Sequence, residues 1–423
     1  MYKILTAKIK EKKVELPSSK SISHRIAILA ALNRGGTCIQ NMLDADDTRI
    51  TIEALTSMGA KFRNNIQEWI CNVPIGTVAR EEIFFGNSGS SARFLIPLAT
   101  FLNKPVYFYG DPRLHDRPFG ELFSALDQLG VKLEANQKSL PVTIFPGELK
   151  GGTVQLEKLP SSQIITALML AGLWMKNNLK IILPEKTPSL PYIEMTYKLM
   201  HKLNLNVQQQ QNNISVEAKI PDYDWNFTVE KDLSAASYWV ILAMINGAKI
   251  SLMNVTLPSL QGDEKIFQIA EEAGAKVMCY SDRVEIEGDI RKGLTIDCND
   301  IPDLVPSLSI MALFAPEPVK LMNVEHLQFK ESNRIEALQM NIGSIGGKSE
   351  FKNGHFTIYP KKIYTGGQIN TFNDHRIAMS FAVVGTAIPG IIIDNPECVS
   401  KSYPNFWKDF NYWQNYSLNG INS

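Results

Sequence analysis

Cysteine is scarce. Cys38, Cys71, Cys279, Cys298 and Cys398 are scattered over 423 residues, and no two form a C-x-x-C pair. That excludes the disulfide framework of a small secreted scaffold and the usual thiolate zinc site, and it fits a reducing compartment. Neither sign of charge is in excess, since 43 Lys and Arg balance 43 Asp and Glu. Proteins that neutralise long runs of nucleic-acid phosphate carry a basic surplus, so nucleic acid is not the expected partner. Any anionic ligand must instead be met by a local cluster. No apolar run reaches the length of a membrane span. The opening MYKILTAKIKEKKVELP alternates like a strand and has no signal-peptide core, so a cytoplasmic protein without membrane contact is expected. A Walker phosphate loop is also missing.

What is there is ordinary globular composition, 44% hydrophobic and 20% charged, at a length that suggests two or more domains. Within it one pattern recurs: a helical stretch, a Gly or Asn, then an alternating strand. It reads ALTSMGAKF around Gly59, ALDQLGVKLE around Gly130, LMHKLNLNV around Asn204, IAEEAGAKVM around Gly274 and NIGSIGGKSE around Gly346. Successive positions are 71, 74, 70 and 72 residues apart. Gly or Asn just past a helix predicts the left-handed cap that turns the chain into the next strand. A fixed period predicts one supersecondary unit used repeatedly, here about six times, with the last ending near FWKDFNYW (406–413). The stretch DLSAASYWVILAMINGA (232–248) restates the opening SKSISHRIAILAALNRGG, which marks a second half. The expectation is an α/β (α+β) chain of two three-unit domains, 17–230 and 231–423, with strand 1–16 joining the second.

Hydroxyl and basic residues gather repeatedly where apolar helices begin. LPSSKSISHR (16–25) precedes IAILAAL with four serines, Lys20 and Arg25, although a cap needs only one serine. GNSGSSARFLIPLA (86–99) brings Asn87, Gly89, Ser90 and Arg93; DPRLHDRPFG (111–120) brings Arg113 and Arg117 in a Pro-bounded loop. LPSSQIITALMLAGL (159–173) sets Ser161, Ser162 and Gln163 ahead of a helix, and SLPYIEMT offers Ser189 and Tyr192. In the second half, Asp303 precedes an apolar helix, FKESNRIEAL packs Lys330, Glu331 and Arg334 together, and CVSKSYPNF adds Lys401. NDHRIAMSFAVVG sets Asp374, His375 and Arg376 directly before an apolar helix; His375 reads as a capped, satisfied histidine rather than a catalytic one. Helix N-termini converging with Lys and Arg make a site for a multiply anionic ligand, and a cleft between the halves is the natural place for it.

These motifs, LPSSKSISHR, GNSGSSAR, DRP, SSQ, SLPY, IPD, FKESNR, NDHR and the SK of CVSKSYP, resemble in order and spacing those of the EPSP synthase family of enolpyruvyl transferases. The resemblance spans nearly the whole chain. It implies two domains of three βαβαββ units with the active site between them. It also implies transfer of the enolpyruvyl group of phosphoenolpyruvate to the 5-hydroxyl of shikimate 3-phosphate, through a tetrahedral addition–elimination intermediate. The small-molecule substrates are the only partners implied, with no metal or organic cofactor and a monomeric enzyme. By resemblance, Lys20 lies between the two substrates. Ser21, Arg25, Ser161, Ser162, Gln163, Ser189, Asp303, His326 and Lys330 face shikimate 3-phosphate, while Gly89, Arg117, Gln163, Arg334, Arg376 and Lys401 face phosphoenolpyruvate. Asp303 and Glu331, with Lys20, form the proton-transfer set. Asp303 suits deprotonating the hydroxyl, Glu331 exchanging protons with C3, and Lys20 assisting the departing phosphate. Arginine forks suit carboxylate and phosphate, holding both anions at reacting distance.

The chain departs from the family's usual pattern at Ser18, Phe94, Leu190, His326 and Asn333, none of which removes a proton-transfer residue. The related transferase acting on UDP-N-acetylglucosamine is the nearer alternative, but DPRLHDRP lacks the cysteine its mobile loop carries. A non-catalytic anion-binding relative is the other, against which Asp303, Glu331 and Lys20 speak. Cations facing one another across a cleft repel, so an open form is expected until a bound dianion bridges the halves.

Overall fold

The repeat is visible as sheets. The computed structural model describes residues 1–4, 6, 9–65, 68–220 and 222–411; Tyr412 and Trp413, at the end of the sixth unit, lie outside them. One unit runs strand Glu82–Phe84, helix Gly89–Leu95, strand Val106–Tyr109, helix Gly120–Gln128, then the hairpin Leu133–Ala135 and Val142–Ile144. Its first two strands are parallel (Ile83 beside Phe108) and the hairpin adds antiparallel (Phe108 beside Val142), giving the spatial order 1-2-4-3. The sheets that start at Gly152 and Thr295 have the same order. Two others borrow their first strand across the chain: Trp225–Thr228 lies parallel to Thr37–Gln40, and Glu11–Glu15 lies parallel to Lys249–Met253. The sixth sheet has three strands, Gln368–Ile369, Ile392–Ile393 and, antiparallel to the latter, Tyr2–Lys3.

The five residues at the predicted turns all have positive φ: Gly59 108°, Gly130 78°, Asn204 56°, Gly274 120° and Gly346 78°. Glycine accepts that conformation without steric cost and asparagine with little. The most apolar helices, Lys20–Leu32, Gln163–Gly172, Leu233–Asn246, Val305–Leu313 and His375–Gly385, are buried along nearly their whole length. A helix apolar all round belongs in a core. The sheets lie outside them, with Val106 and Phe108 buried and Tyr107 exposed on the same strand.

Two hydrophobic cores result. One takes residues from Ile22 to Val229; the other takes Ile4 to Leu16 and Leu233 to Phe410. Leu260 belongs to the first core although its sequence neighbours belong to the second half. The chain crosses between halves twice, and the crossings are bonded together: the Ser19 N–H donates to the Glu230 carbonyl at 2.8 Å, and the Asp232 N–H to the Pro17 carbonyl at 2.9 Å. Among the described residues no helix is long and apolar enough to cross a membrane.

Candidate active site

Helix starts from both halves meet at these crossings. Asp232 caps one helix on each side: Oδ2 accepts from the Lys20 N–H at 3.0 Å and Oδ1 from the Ala235 N–H at 2.8 Å. Lys20 thereby opens its helix with its ammonium turned to Asp47, Nζ to Oδ2 3.0 Å. One turn on, Arg25 is buried over the Phe94 ring; its Nε donates to Thr196 at 2.8 Å and Nη1 to the Ser21 carbonyl at 2.8 Å. Ser189 has φ 57°, and its N–H donates to the Asn299 carbonyl at 3.0 Å, tying the start of helix Leu190–Lys202 to the second half. Gly89 lies flat against Arg117: a Cβ there would stand 2.4 Å from the guanidinium. Arg93, buried without a carboxylate within salt-bridge reach among the described residues, donates to Gln163 Oε1 at 2.8 Å, while Gln163 Nε2 donates to Ser90 at 2.8 Å.

Across the cleft, Arg334 is surrounded by three carboxylates. Nη1 reaches Asp303 at 2.8 Å, Nη2 reaches Glu331 at 2.8 Å and Nε reaches Asp374 at 2.9 Å. Arg376 Nη2 holds the other oxygen of Asp303 at 2.7 Å, and the Tyr192 hydroxyl donates to that oxygen at 3.0 Å. Burial alone would raise the Asp303 carboxyl, but Arg376, Arg334 and Lys330 outweigh it and hold it well below the usual carboxylate range. Glu331 is likewise buried yet kept ionised by Arg334, Arg117, Lys401 and Lys20. Burial pushes the Arg25 guanidinium down to about 10 and the Lys330 ammonium down to about 8.

Of the residues picked out in the sequence, Lys20, Ser21, Arg25, Ser90, Arg117, Ser161, Ser162, Gln163, Ser189, Tyr192, Asp303, Lys330 and Glu331 line one cavity. Gly89, Arg334, Arg376 and Lys401 do not line it as it stands: Gly89 packs on Arg117, Arg334 and Arg376 hold Asp303, and Lys401 lies by Asp47. His326 is outside it, half-buried, with Nε2 lacking a partner among the described residues and its imidazole pushed down to about 3 by burial and Lys330. His375 departs from the expected satisfied histidine. It is fully buried and neither ring nitrogen has a hydrogen-bond partner among the described residues, because Asp374 spends its oxygens on Arg376 N–H, Ser332 and Arg334. Lys330 and Glu331 precede helix Arg334–Ser344 instead of lying on it, since Asn333 caps that helix.

The cavity is narrow, about 40 Å³, room for one or two waters. The halves meet around it, and the facing cations are not unopposed. Lys401 lies 3.7 Å from Asp47 and donates to the Asn87 carbonyl at 3.1 Å, and Arg113 Nη2 donates to the carbonyls of Gln328 and Lys330 at 2.9 and 3.2 Å. Asp47 is the main residue that sequence reasoning missed. Its signal was a carboxylate in the first turn of helix Asp46–Ser57, in DADDTR, indistinguishable there from a plain dipole-complementing acid. Among the described residues no group of His, Cys, Asp and Glu is arranged to hold a metal ion.

The family model described as EPSP synthase (3-phosphoshikimate 1-carboxyvinyltransferase) matches residues 6–410. A 3-phosphoshikimate 1-carboxyvinyltransferase of Pseudoalteromonas translucida is 34% identical over 93% of this chain and 95% of its own. One of Photorhabdus laumondii is 32% identical over 93% and 94%. Among solved structures, the EPSP synthase of Acinetobacter baumannii superposes with a TM-score of 0.81 at 25% identity, covering 97% of both chains. The enolpyruvyl transferase NikO of Streptomyces tendae shares the fold, TM-score 0.78 at 13% identity over 97% of both.

Proposed function

The chain belongs to the EPSP synthase family, and from that premise we propose which of its residues carry the reaction. The enzyme transfers the enolpyruvyl group of phosphoenolpyruvate to shikimate 3-phosphate, releasing phosphate, in the shikimate pathway to aromatic amino acids. The observation supporting the assignment is that one cavity gathers Lys20, Arg25, Arg117 and the serines of the first half against Asp303, Lys330 and Glu331 of the second. On this reading Ser21, Arg25, Ser161, Ser162, Ser189, His326 and Lys330 face shikimate 3-phosphate, Gln163 and Lys20 face both substrates, and Gly89, Arg117, Arg334, Arg376 and Lys401 face phosphoenolpyruvate. The site needs both halves, 17–230 and 231–423 with strand 1–16, and the enzyme works as a cytoplasmic monomer without metal or organic cofactor.

The charge geometry suggests how the steps are ordered. Asp303 is ionised but weakly basic while Arg334 and Arg376 both hold it. An incoming phosphoenolpyruvate dianion competes for those guanidiniums, and each contact withdrawn from Asp303 raises its basicity. Asp303 then takes the 5-hydroxyl proton as that oxygen bonds to C2; Glu331, which takes up a solvent proton as the dianion draws Arg334 and Arg117 away from it, delivers that proton to C3. In the second step Glu331 takes a C3 proton back while the C2–O bond to phosphate breaks, with Lys20 neutralising the departing oxygen. Ions held at reacting distance in a narrow, desolvated site feel each other strongly.

Solvent exchange tests the assignment. In deuterated water with both substrates, deuterium should enter C3 of recovered phosphoenolpyruvate, because addition forms a methyl group that loses a proton on reversal. Glu331→Gln should slow that exchange by about 10²-fold or more; undiminished exchange would remove Glu331 from the role.

A further inference from the structure

A segment the reaction does not use connects the crossings to the site. In SLQGD (259–263), the Ser259 hydroxyl donates to Glu230 Oε2 at 2.7 Å and Leu260 is buried in the first core. Gln261 grips the second crossing, Nε2 donating to the Lys231 carbonyl at 2.7 Å and Oε1 accepting the Leu233 N–H at 3.0 Å. Gly262 lies against Pro191, where a Cβ would stand 2.3 Å from the proline Cβ. Pro191 adjoins Tyr192, which donates to Asp303. Every residue of the segment is thus fixed, and the last of them is Asp263, 4% exposed.

Asp263 Oδ2 accepts the Ser234 hydroxyl, whereas Oδ1 is buried with no hydrogen-bond partner among the described residues. Buried polar atoms are nearly always bonded, so an orphaned carboxyl oxygen this close to a catalytic cluster calls for a reason. The groups acting on it are Asp303, Arg376 and Asp232, with Ser234 bonded to it; Tyr192 in turn feels both Asp263 and Asp303. We propose that Asp263 is a positioning residue for Asp303: a second buried carboxyl that carries a proton in the working enzyme, leaving Arg376 to be shared only between Asp303 and the incoming dianion, and Tyr192 to Asp303. Burial and the Asp303 charge push it up to about 7, against the pull of Ser234 and Arg376, while Asp303 is held low. Environments that drive two neighbouring carboxyls apart assign them opposite protonation states. Once ionised, Asp263 competes for Arg376 and for the Tyr192 proton, so activity falls as it loses its own.

This deepens the role given to Asp303 and rests on it, so the test has two arms. The first is carbon NMR of the carboxyl groups, with Asp263→Asn identifying the signal. Asp263 should titrate near neutrality, and Asp303→Asn should move its midpoint down by removing the like charge. That arm reads Asp263 whether or not Asp303 is the base. The second is kcat/KM for shikimate 3-phosphate between about pH 5.5 and 8.5. The wild type should lose activity with rising pH through an inflection near neutrality that Asp263→Asn abolishes, leaving only the loss near pH 8 that follows Lys330. If that variant does not fold, Ser234→Ala should move the inflection upward by about one pH unit, since a donor to the ionised form is lost. Titration of Asp263 near pH 4, the value of an exposed aspartate, or an unaltered inflection in Asp263→Asn, overturns the proposal. A fully active Asp303→Asn with Asp263 titrating near neutrality instead overturns the role of Asp303.

Discussion

At the scale of single residues, the site is an arrangement of buried charges whose protonation is set by neighbours. Asp303 accepts from two guanidiniums and a phenol, and Asp303→Asn preserves that shape while removing the proton acceptor. Its shikimate 3-phosphate affinity should survive with turnover reduced roughly 10²–10⁴-fold, read from steady-state kinetics beside a binding titration. Turnover within about threefold of wild type would take the base role from Asp303. Lys330 gives a pH prediction. Burial lowers its ammonium to about 8, so in the free enzyme the charge is present below that pH and lost above it. Affinity for shikimate 3-phosphate should weaken as pH rises through this range, and Lys330→Arg should extend binding to higher pH, because a guanidinium keeps its proton. Parallel affinity curves for the two would separate Lys330 from the phosphate.

At the scale of elements, Gly89 and Arg117 form one unit. A methyl group at Gly89 would overlap the guanidinium at 2.4 Å, and the arginine must move. Arg117→Ala should raise KM for phosphoenolpyruvate far more than for shikimate 3-phosphate, by the roughly 1.5–3 kcal/mol of a lost charge-assisted contact. Gly89→Ala should shift the same constant in the same direction. Equal weakening of both substrates by Arg117→Ala would contradict its assignment. This is also the scale at which the sequence was most legible. The five turns were readable because a left-handed residue after a helix admits few side chains, and the helix starts because surplus serines and basic residues before an apolar run exceed capping needs. What could not be read depends on pairing across distance. Nothing local in WNFT (225–228) says that it lies beside Thr37–Gln40, nor in DADDTR that Asp47 meets Lys20 and Lys401. Leu260 looks like any leucine before a turn, yet it sits in the other half's core.

At the scale of the molecule, two cores share one site across two bonded crossings. Opposite charges and carbonyl contacts close the halves onto a cavity of about 40 Å³, too small for either substrate, so entry requires them to part. The contacts that hold the halves together include Lys401 with Asp47, Arg113 with the 328–330 carbonyls, Tyr192 with Asp303 and Ser189 with Asn299. A bound dianion adds bridges between cations of both halves and shifts the population toward closure. Shikimate 3-phosphate, and more so its combination with a phosphoenolpyruvate analogue, should therefore reduce the radius of gyration in solution scattering and slow cleavage near 16–20 and 229–233. Profiles that superpose at saturating ligand would mean that the halves do not open.

The most direct test is phosphate release by the purified chain supplied with shikimate 3-phosphate and phosphoenolpyruvate together and separately. With both present, inorganic phosphate should appear in equal amount to an enolpyruvyl ether on the 5-hydroxyl, and neither substrate alone should release it. The Asp303→Asn variant should lose nearly all of that release. Phosphate formed from phosphoenolpyruvate alone, or release undiminished in the variant, would contradict a transfer carried out by both halves of this site.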